Sequence, residues 1–213
     1  MDDVKELELS AIENLVIAKK ELVFANELKK MAKAELKKAE KRQLLIKQDL
    51  LVADFRDKMA EENRKLVEKK SKSSQLLKIP ANVLENEKAF SIFNENLARF
   101  QKELAEIHKE IAKLERRIAE KRIELASEKI DFAKKRKNIS KKQFSLVKAV
   151  KAEHNLEKIK DIRNQYKYGE KELIKARNHV MEIENEIKKK SNKIADLKGK
   201  LSVKLADRER IRY

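Results

Sequence analysis

The sequence predicts an all-α protein: an elongated, rod-shaped antiparallel coiled coil of about three very long helices, forming one unit over residues 1–213. Three observations predict it. The 213 residues include two glycines and one proline, where an ordinary domain carries roughly 7% and 5%. Such a chain has almost nothing with which to reverse direction, which excludes sandwiches, barrels, doubly wound sheets and folds built on glycine loops. Apolar residues recur in steps of three and four over long stretches, and nothing alternates with period two. Finally, 43% of the residues are charged and 41% hydrophobic. The regular spacing of the hydrophobic share argues for packed helices rather than the disorder that charge alone would suggest.

The first helix is expected over about 3–72. Its seam alternates Leu and Ala through Leu15, Ala18, Leu22, Ala25, Ala32, Leu36, Ala39, Ile46, Leu50 and Ala53, and small residues at every second position let a neighbouring axis approach closely. A second row, Ile12, Val16, Val23 and Leu45, broadens the stripe and suits a helix with more than one neighbour. The pattern decays into the Lys- and Ser-rich stretch 69–75, and Pro80 forbids continuation. A turn is therefore expected near 73–82, with Asn82 as N-cap of the next helix and Glu85 completing a capping box.

The second helix, expected over about 83–136, carries the clearest seam: Phe93, Leu97, Phe100, Leu104, Ile107, Ile111, Leu114 and Ile118, then Leu125 and Phe132. Phe90, Phe93 and Phe100 fall at helical spacing; of two readings, an anchor for a partner and an aromatic plug closing the end of a helical hairpin, the plug is favoured. A third seam runs through Ala152, Ile159, Ile162, Tyr166, Leu173, Ala176, Val180, Ile183, Ile187, Ile194, Leu197 and Leu201, one residue out of phase with the second. The two cannot share one heptad frame. Lys134 to Gln143 holds six basic residues and no acid, and Ser140 with Gln143 has capping-box spacing. These features place a turn near 137–140 and a third helix over about 140–213, longer than the second. Gly169 sits in phase within the third seam and reads as a close approach between helices.

Lys and Arg total 54 against 37 Asp and Glu, a formal charge of +17, which favours acidic partners without choosing among nucleic acid, anionic lipid and protein. Zero cysteines exclude disulfides, zinc–thiolate sites and cysteine nucleophiles. No apolar run approaches the roughly 18 residues needed to span a bilayer, and the acidic opening, Asp2, Asp3 and Glu6, has neither secretory nor transit character. A cytoplasmic location is expected, peripheral at a membrane or within a large assembly if the basic clusters have a partner.

The catalytic inventory is nearly empty. His108, His154 and His179 have Ala105, Lys151 and Ala176 three positions earlier, so the Glu-x-x-His pairs of di-iron bundles are missing, as are phosphate loops and His-Glu-x-x-His. Neither enzymatic activity nor a cofactor or metal is expected. The basic clusters are the candidate contacts for an acidic partner: Lys37, Lys38, Lys41 and Arg42 in the first helix, and Lys134, Lys135, Arg136, Lys137, Lys141 and Lys142 at the expected second turn. The candidate assembly seam comprises the eight residues from Phe93 to Ile118 together with Val180, Ile183, Ile187, Ile194, Leu197 and Leu201.

These features favour a non-enzymatic coiled-coil protein that works by assembly, as a stalk, spacer, adaptor or filament subunit, with itself or a coiled-coil protein as partner. Three long helices, positive charge and basic turns also resemble the general plan of BAR-type membrane-curving domains, which implies a peripheral module presenting lysines to anionic lipid. The Phe-rich hairpin near Pro80 resembles in outline the hairpin stalks of secretion and rotary machines. Sequence-independent nucleic-acid binding ranks lower, because no aromatic residues interleave with the basic clusters as a stacking platform requires.

Overall fold

A computed structural model describes residues 2–73, 80–152 and 155–210. The protein is all-α, with three long helices and no strand among the described residues: α1 (Asp2–Lys72), α2 (Ala81–Lys151) and α3 (Leu156–Arg210). The first break falls where Pro80 requires it. Helix α2 starts two residues before the expected position, because the Pro80 carbonyl accepts the first bonds, from Val83 N at 3.1 Å and Leu84 N at 3.4 Å. Asn82 therefore lies inside the first turn rather than at the cap, its Oδ1 accepting from Val83 N at 3.0 Å.

The expected turn at 137–140 is not there. Helix α2 runs through it to Lys151, and Ser140, read as the cap of a new helix, is fully buried mid-helix, its hydroxyl donating to the Arg136 carbonyl at 3.0 Å. The physical reason is the apolar row that continues between the lysines. Ile139 and Leu146 extend the Ile118–Leu125–Phe132 row by two more steps of seven, and both are buried. A run of cations does not break a helix that still has an apolar row to cover, the more so when Lys135, Arg136 and Lys142 find partners on the neighbouring helices. The break comes later: Ala152 N donates to Lys148 O at 3.0 Å to close α2, and Asn155 caps α3 by accepting from Glu157 N at 3.1 Å. The seam mismatch is thus a change of helix, set later than expected. The second helix is also longer than the third, 71 residues against 55, the reverse of the sequence expectation.

Packing divides the chain into two compact units, one comprising Met1–Lys37 with Arg117–Ser191, the other Lys38–Arg116 with Asn192–Tyr213. In the first unit α1 and α2 are antiparallel: Lys151 pairs with Glu8 at 2.6 Å, Arg136 with Glu21 at 3.0 Å and Arg122 with Glu35 at 2.6 Å. Their contact is made of small residues at strict steps of seven, Ala11, Ala18, Ala25 and Ala32 on α1, and Ala119, Ala126, Ala133 and Ser140 on α2, all buried. Matching stripes of this kind let two backbones come close and confine the ion pairs to the flanks. On its other face α2 packs antiparallel to α3, with Lys129–Glu184 at 2.7 Å and Lys121–Glu186 at 3.2 Å beside buried Ile118, Ile139, Ala176 and Ile183. Gly169 meets α2 here. A Cβ on it would lie 3.0 Å from Ile139 Cγ1, so the close approach read from the sequence exists.

The second unit repeats the scheme. Ala39, Ile46, Ala53 and Ala60 are buried on α1, and Ala98, Ala105 and Ala112 on α2. Ala53 and Ala105 line one groove, Ala60 and Ala98 the next. Ion pairs again mark an antiparallel register, Arg42–Glu115 and Arg64–Glu95 at 3.0 Å and Lys70–Glu87 at 2.7 Å. Helix α3 covers only part of this α2 segment, through a cluster of Ile111, Leu114 and Leu197 joined by Ile107 and Ile194. Arg208 reaches furthest along α2, its guanidinium 5.5 Å from the Phe100 ring centroid.

Candidate interaction surfaces

The predicted seam residues separate into covered and bare. In the first unit Ile118 and Ile183 are buried and Val180 and Ile187 half-buried; in the second, Ile111, Leu114 and Leu197 are buried and Leu97, Phe100, Leu104, Ile107, Ile194 and Leu201 half-buried. Phe93 stands apart at 57% exposure. Phe90 is 67% exposed, so these two rings do not form the expected plug; only Phe100 has a cover, in Arg208. The cause is geometric. Phe93 continues the α2 row that α3 covers further along at Phe100 and Ile107, and Phe90 the row that it covers at Ile111, and the described part of α3 does not reach either ring. Val83 and Ile92 are exposed in the same stretch.

The broad second row of α1 has no neighbour either. Ile12, Val16 and Val23 in the first unit and Leu45 in the second are exposed rather than packed against a further helix. In the second unit the bare face also includes Leu44, Leu51, Val52, Phe55, Met59 and Leu66. Leu51 is 69% exposed, a value at which a leucine makes little use of its own chain.

Half of the ten basic candidates are engaged internally. Arg136 pairs with Glu21 and stacks on Phe132, 5.1 Å from the ring centroid. Lys134 pairs with Asp131 at 3.4 Å, Lys135 with Glu172 at 4.0 Å, and Lys142 donates to the Gln165 carbonyl at 3.3 Å. Lys137 is half-buried and Lys141 exposed. They line the side of a continuous helix, so no basic tip forms at 137–140. In the second unit Arg42 pairs with Glu115 while Lys38 and Lys41 are exposed; in the first, Lys37 is exposed.

Two polar sites escape sequence reading. Glu95 is buried, its carboxylate accepting from Arg64 at 3.0 Å and from Arg99 at 2.5 Å. Lys88 and Lys102 hold the corresponding positions one heptad to either side, and no local pattern marks an acid for burial. Tyr166 donates to Glu170 Oε1 at 2.6 Å and accepts from Gln143 Nε2 at 3.1 Å. Burial first, then the hydrogen bond to Glu170, pushes its phenol up to about 12. His108 lines a groove between α1 and α2, His179 lies 3.5 Å from Glu182, and His154 is outside the described residues. Among the described residues no group of three or more His, Asp or Glu converges to hold a metal ion, and no helix is long and apolar enough to cross a membrane. Comparison of the chain with protein-family models, curated proteins and solved structures finds no match.

Proposed function

We propose that the chain is a non-enzymatic coiled-coil assembly protein, a stalk, spacer, adaptor or filament subunit acting through helix–helix contacts with another copy or a coiled-coil partner. The observation that carries this reading is the bare α2 seam of the second unit, where Phe90, Phe93 and Val83 prolong the rows covered by α3 and lie open themselves. Burying each such side chain is worth about 1.5–3 kcal/mol, and a seam already cut to coiled-coil spacing accepts a helix more readily than any other shape. The internal pairing of Lys134, Lys135 and Arg136 leaves fewer free cations for an anionic membrane or nucleic acid than the sequence counts.

Light scattering on the purified chain, combined with hydrogen exchange across 81–97, tests the reading. A mass above the 25.0 kDa of one chain, with protection of that stretch on association, is expected. A chain that stays at single-chain mass, exchanges freely there and instead binds anionic liposomes or DNA with steep salt dependence overturns it.

A further inference from the structure

In the first unit, the flank of the α1–α2 contact turned away from α3 combines lysines with bare aliphatic side chains. On α1, Ile12 and Lys19 lie one residue after buried Ala11 and Ala18; on α2, Lys134, Lys141 and Lys148 lie one residue after buried Ala133, Ser140 and Val147. The two helices are antiparallel and of one hand, so that single step turns both rows to the same side. Half-buried Lys137 lies between them. Leu9, Val16 and Val23 follow at steps of seven along the margin of α1, and they and Ile12 are exposed. The opposite flank is the one that meets α3, where Glu21 and Arg136 line a groove with Arg177 and Met181.

The charges divide between the two flanks. Helix α2 from Phe132 to Lys151 holds eight basic residues and no acid. Lys135, Arg136 and Lys142 turn to Glu172, Glu21 and the Gln165 carbonyl, away from this face, and Lys151 pairs with Glu8 at its end. Lys134, Lys137, Lys141 and Lys148 remain on it. Between Leu9 and Val23, α1 carries Glu13, Lys19, Lys20 and Glu21. Glu21 belongs to the other flank, and Glu13 and Lys20 lie one row further round, beyond Val16 and Val23. The face therefore presents five lysines against Asp131, whose 3.4 Å pair with Lys134 is exposed and weak for that reason.

We propose that this face docks on an anionic lipid bilayer, its lysines at the headgroup phosphates and Leu9, Ile12, Val16 and Val23 at the acyl boundary. The inference goes beyond the assembly reading, which rests on a seam of the second unit. The mixture of side chains selects the partner. Lys19 follows Ile12 by one heptad, so a helix laid along this row would bury an ammonium group without a counter-ion. A bilayer boundary accepts the same row, because lysine stems lie along apolar surface while their heads reach phosphate. Duplex nucleic acid matches the charge but leaves four aliphatic side chains in water. The face also has no arginine for bidentate phosphate contact and no exposed aromatic ring to stack on a base.

The test sediments the full chain with vesicles of phosphatidylserine and phosphatidylcholine, and with phosphatidylcholine alone. Binding to the mixed vesicles and not to the neutral ones is expected at low salt. Changing Lys134, Lys137, Lys141 and Lys148 together to Gln should weaken it about a hundredfold. Leu9→Ser with Val16→Ser and Val23→Ser should weaken it about tenfold. Neither set removes a buried side chain, so the helical circular dichroism signal should be unchanged. The chain has no tryptophan, so Val16→Trp and Met181→Trp each place one fluorophore, on this face and on α3. Emission of the first should shift to the blue when mixed vesicles are added, and emission of the second should not.

A chain that ignores the mixed vesicles overturns the inference, as does binding that survives the four Gln changes. A blue shift at Met181→Trp without one at Val16→Trp assigns the contact to another face and overturns it too. Vesicle binding untouched by the three serine changes does the same, since the lysines would then act by charge alone, as they would on DNA. None of these results bears on the mass and exchange measurements that decide the assembly reading.

Discussion

Tyr166 illustrates how much a single side chain takes from its neighbours. Its phenol is raised from 10.0 to about 12 by burial and by the bond to Glu170, so the folded state favours the neutral form. The stabilisation is complete below pH 10 and is lost as pH rises towards 12, because the unfolded chain ionises first. Absorbance titration of the tyrosinate band should therefore reveal a late-titrating component that Tyr166→Phe removes. The two glycines separate propensity from packing. Nothing lies within 4 Å of a Cβ built on Gly199, so Gly199→Ala should raise stability by about 1 kcal/mol, measured by thermal unfolding. Gly169→Ala should gain nothing comparable, since Ile139 stands 3.0 Å from the new carbon. Glu95→Ala removes the acceptor shared by Arg64 and Arg99 and should cost about 2 kcal/mol in urea unfolding. Gly169 was legible in the sequence because its place in the heptad frame implied contact. Glu95 was not, because its burial follows from where two arginines of separate turns and helices converge.

At the scale of the helix, the alanine rows decide how α1 and α2 meet. The α1 row was legible as part of a Leu–Ala seam. The matching row on α2, from Ala98 to Ala133 at steps of seven, was overshadowed by the larger residues of its other face. Replacing Ala25, buried between the helices, by Leu should cost about 1–3 kcal/mol by forcing the backbones apart. The same change at exposed Val23 should be silent in thermal unfolding. On the other face of α2, Ile111→Ala empties a site that is 2% exposed and should cost about 2–5 kcal/mol. Helix length was the weakest element-scale expectation. The cluster Lys134 to Lys142 was read as an end because its charge is conspicuous, while Ile139, which continues the row of Ile118, Leu125 and Phe132, stands alone between Asn138 and Ser140.

At the scale of the molecule, apolar surface is left over in the second unit, on α2 at Phe90 and Phe93 and on α1 from Leu44 to Leu66. If another chain covers it, the thermal midpoint should rise with protein concentration, because mass action favours the assembled state. A midpoint constant over a hundredfold range of concentration would contradict that. Class, helix number and the identity of the apolar rows were determined by the sequence itself: scarcity of Gly and Pro and a period of three and four are properties of the chain, present before anything packs. The tertiary structure alone decided that α2 continues to Lys151, that α3 is the shorter partner, and which rows remain bare. A helix ends where its buried face runs out of a neighbour or a cap replaces the next turn, and a seam is covered only as far as another helix reaches. Both conditions belong to pairs of segments distant in sequence.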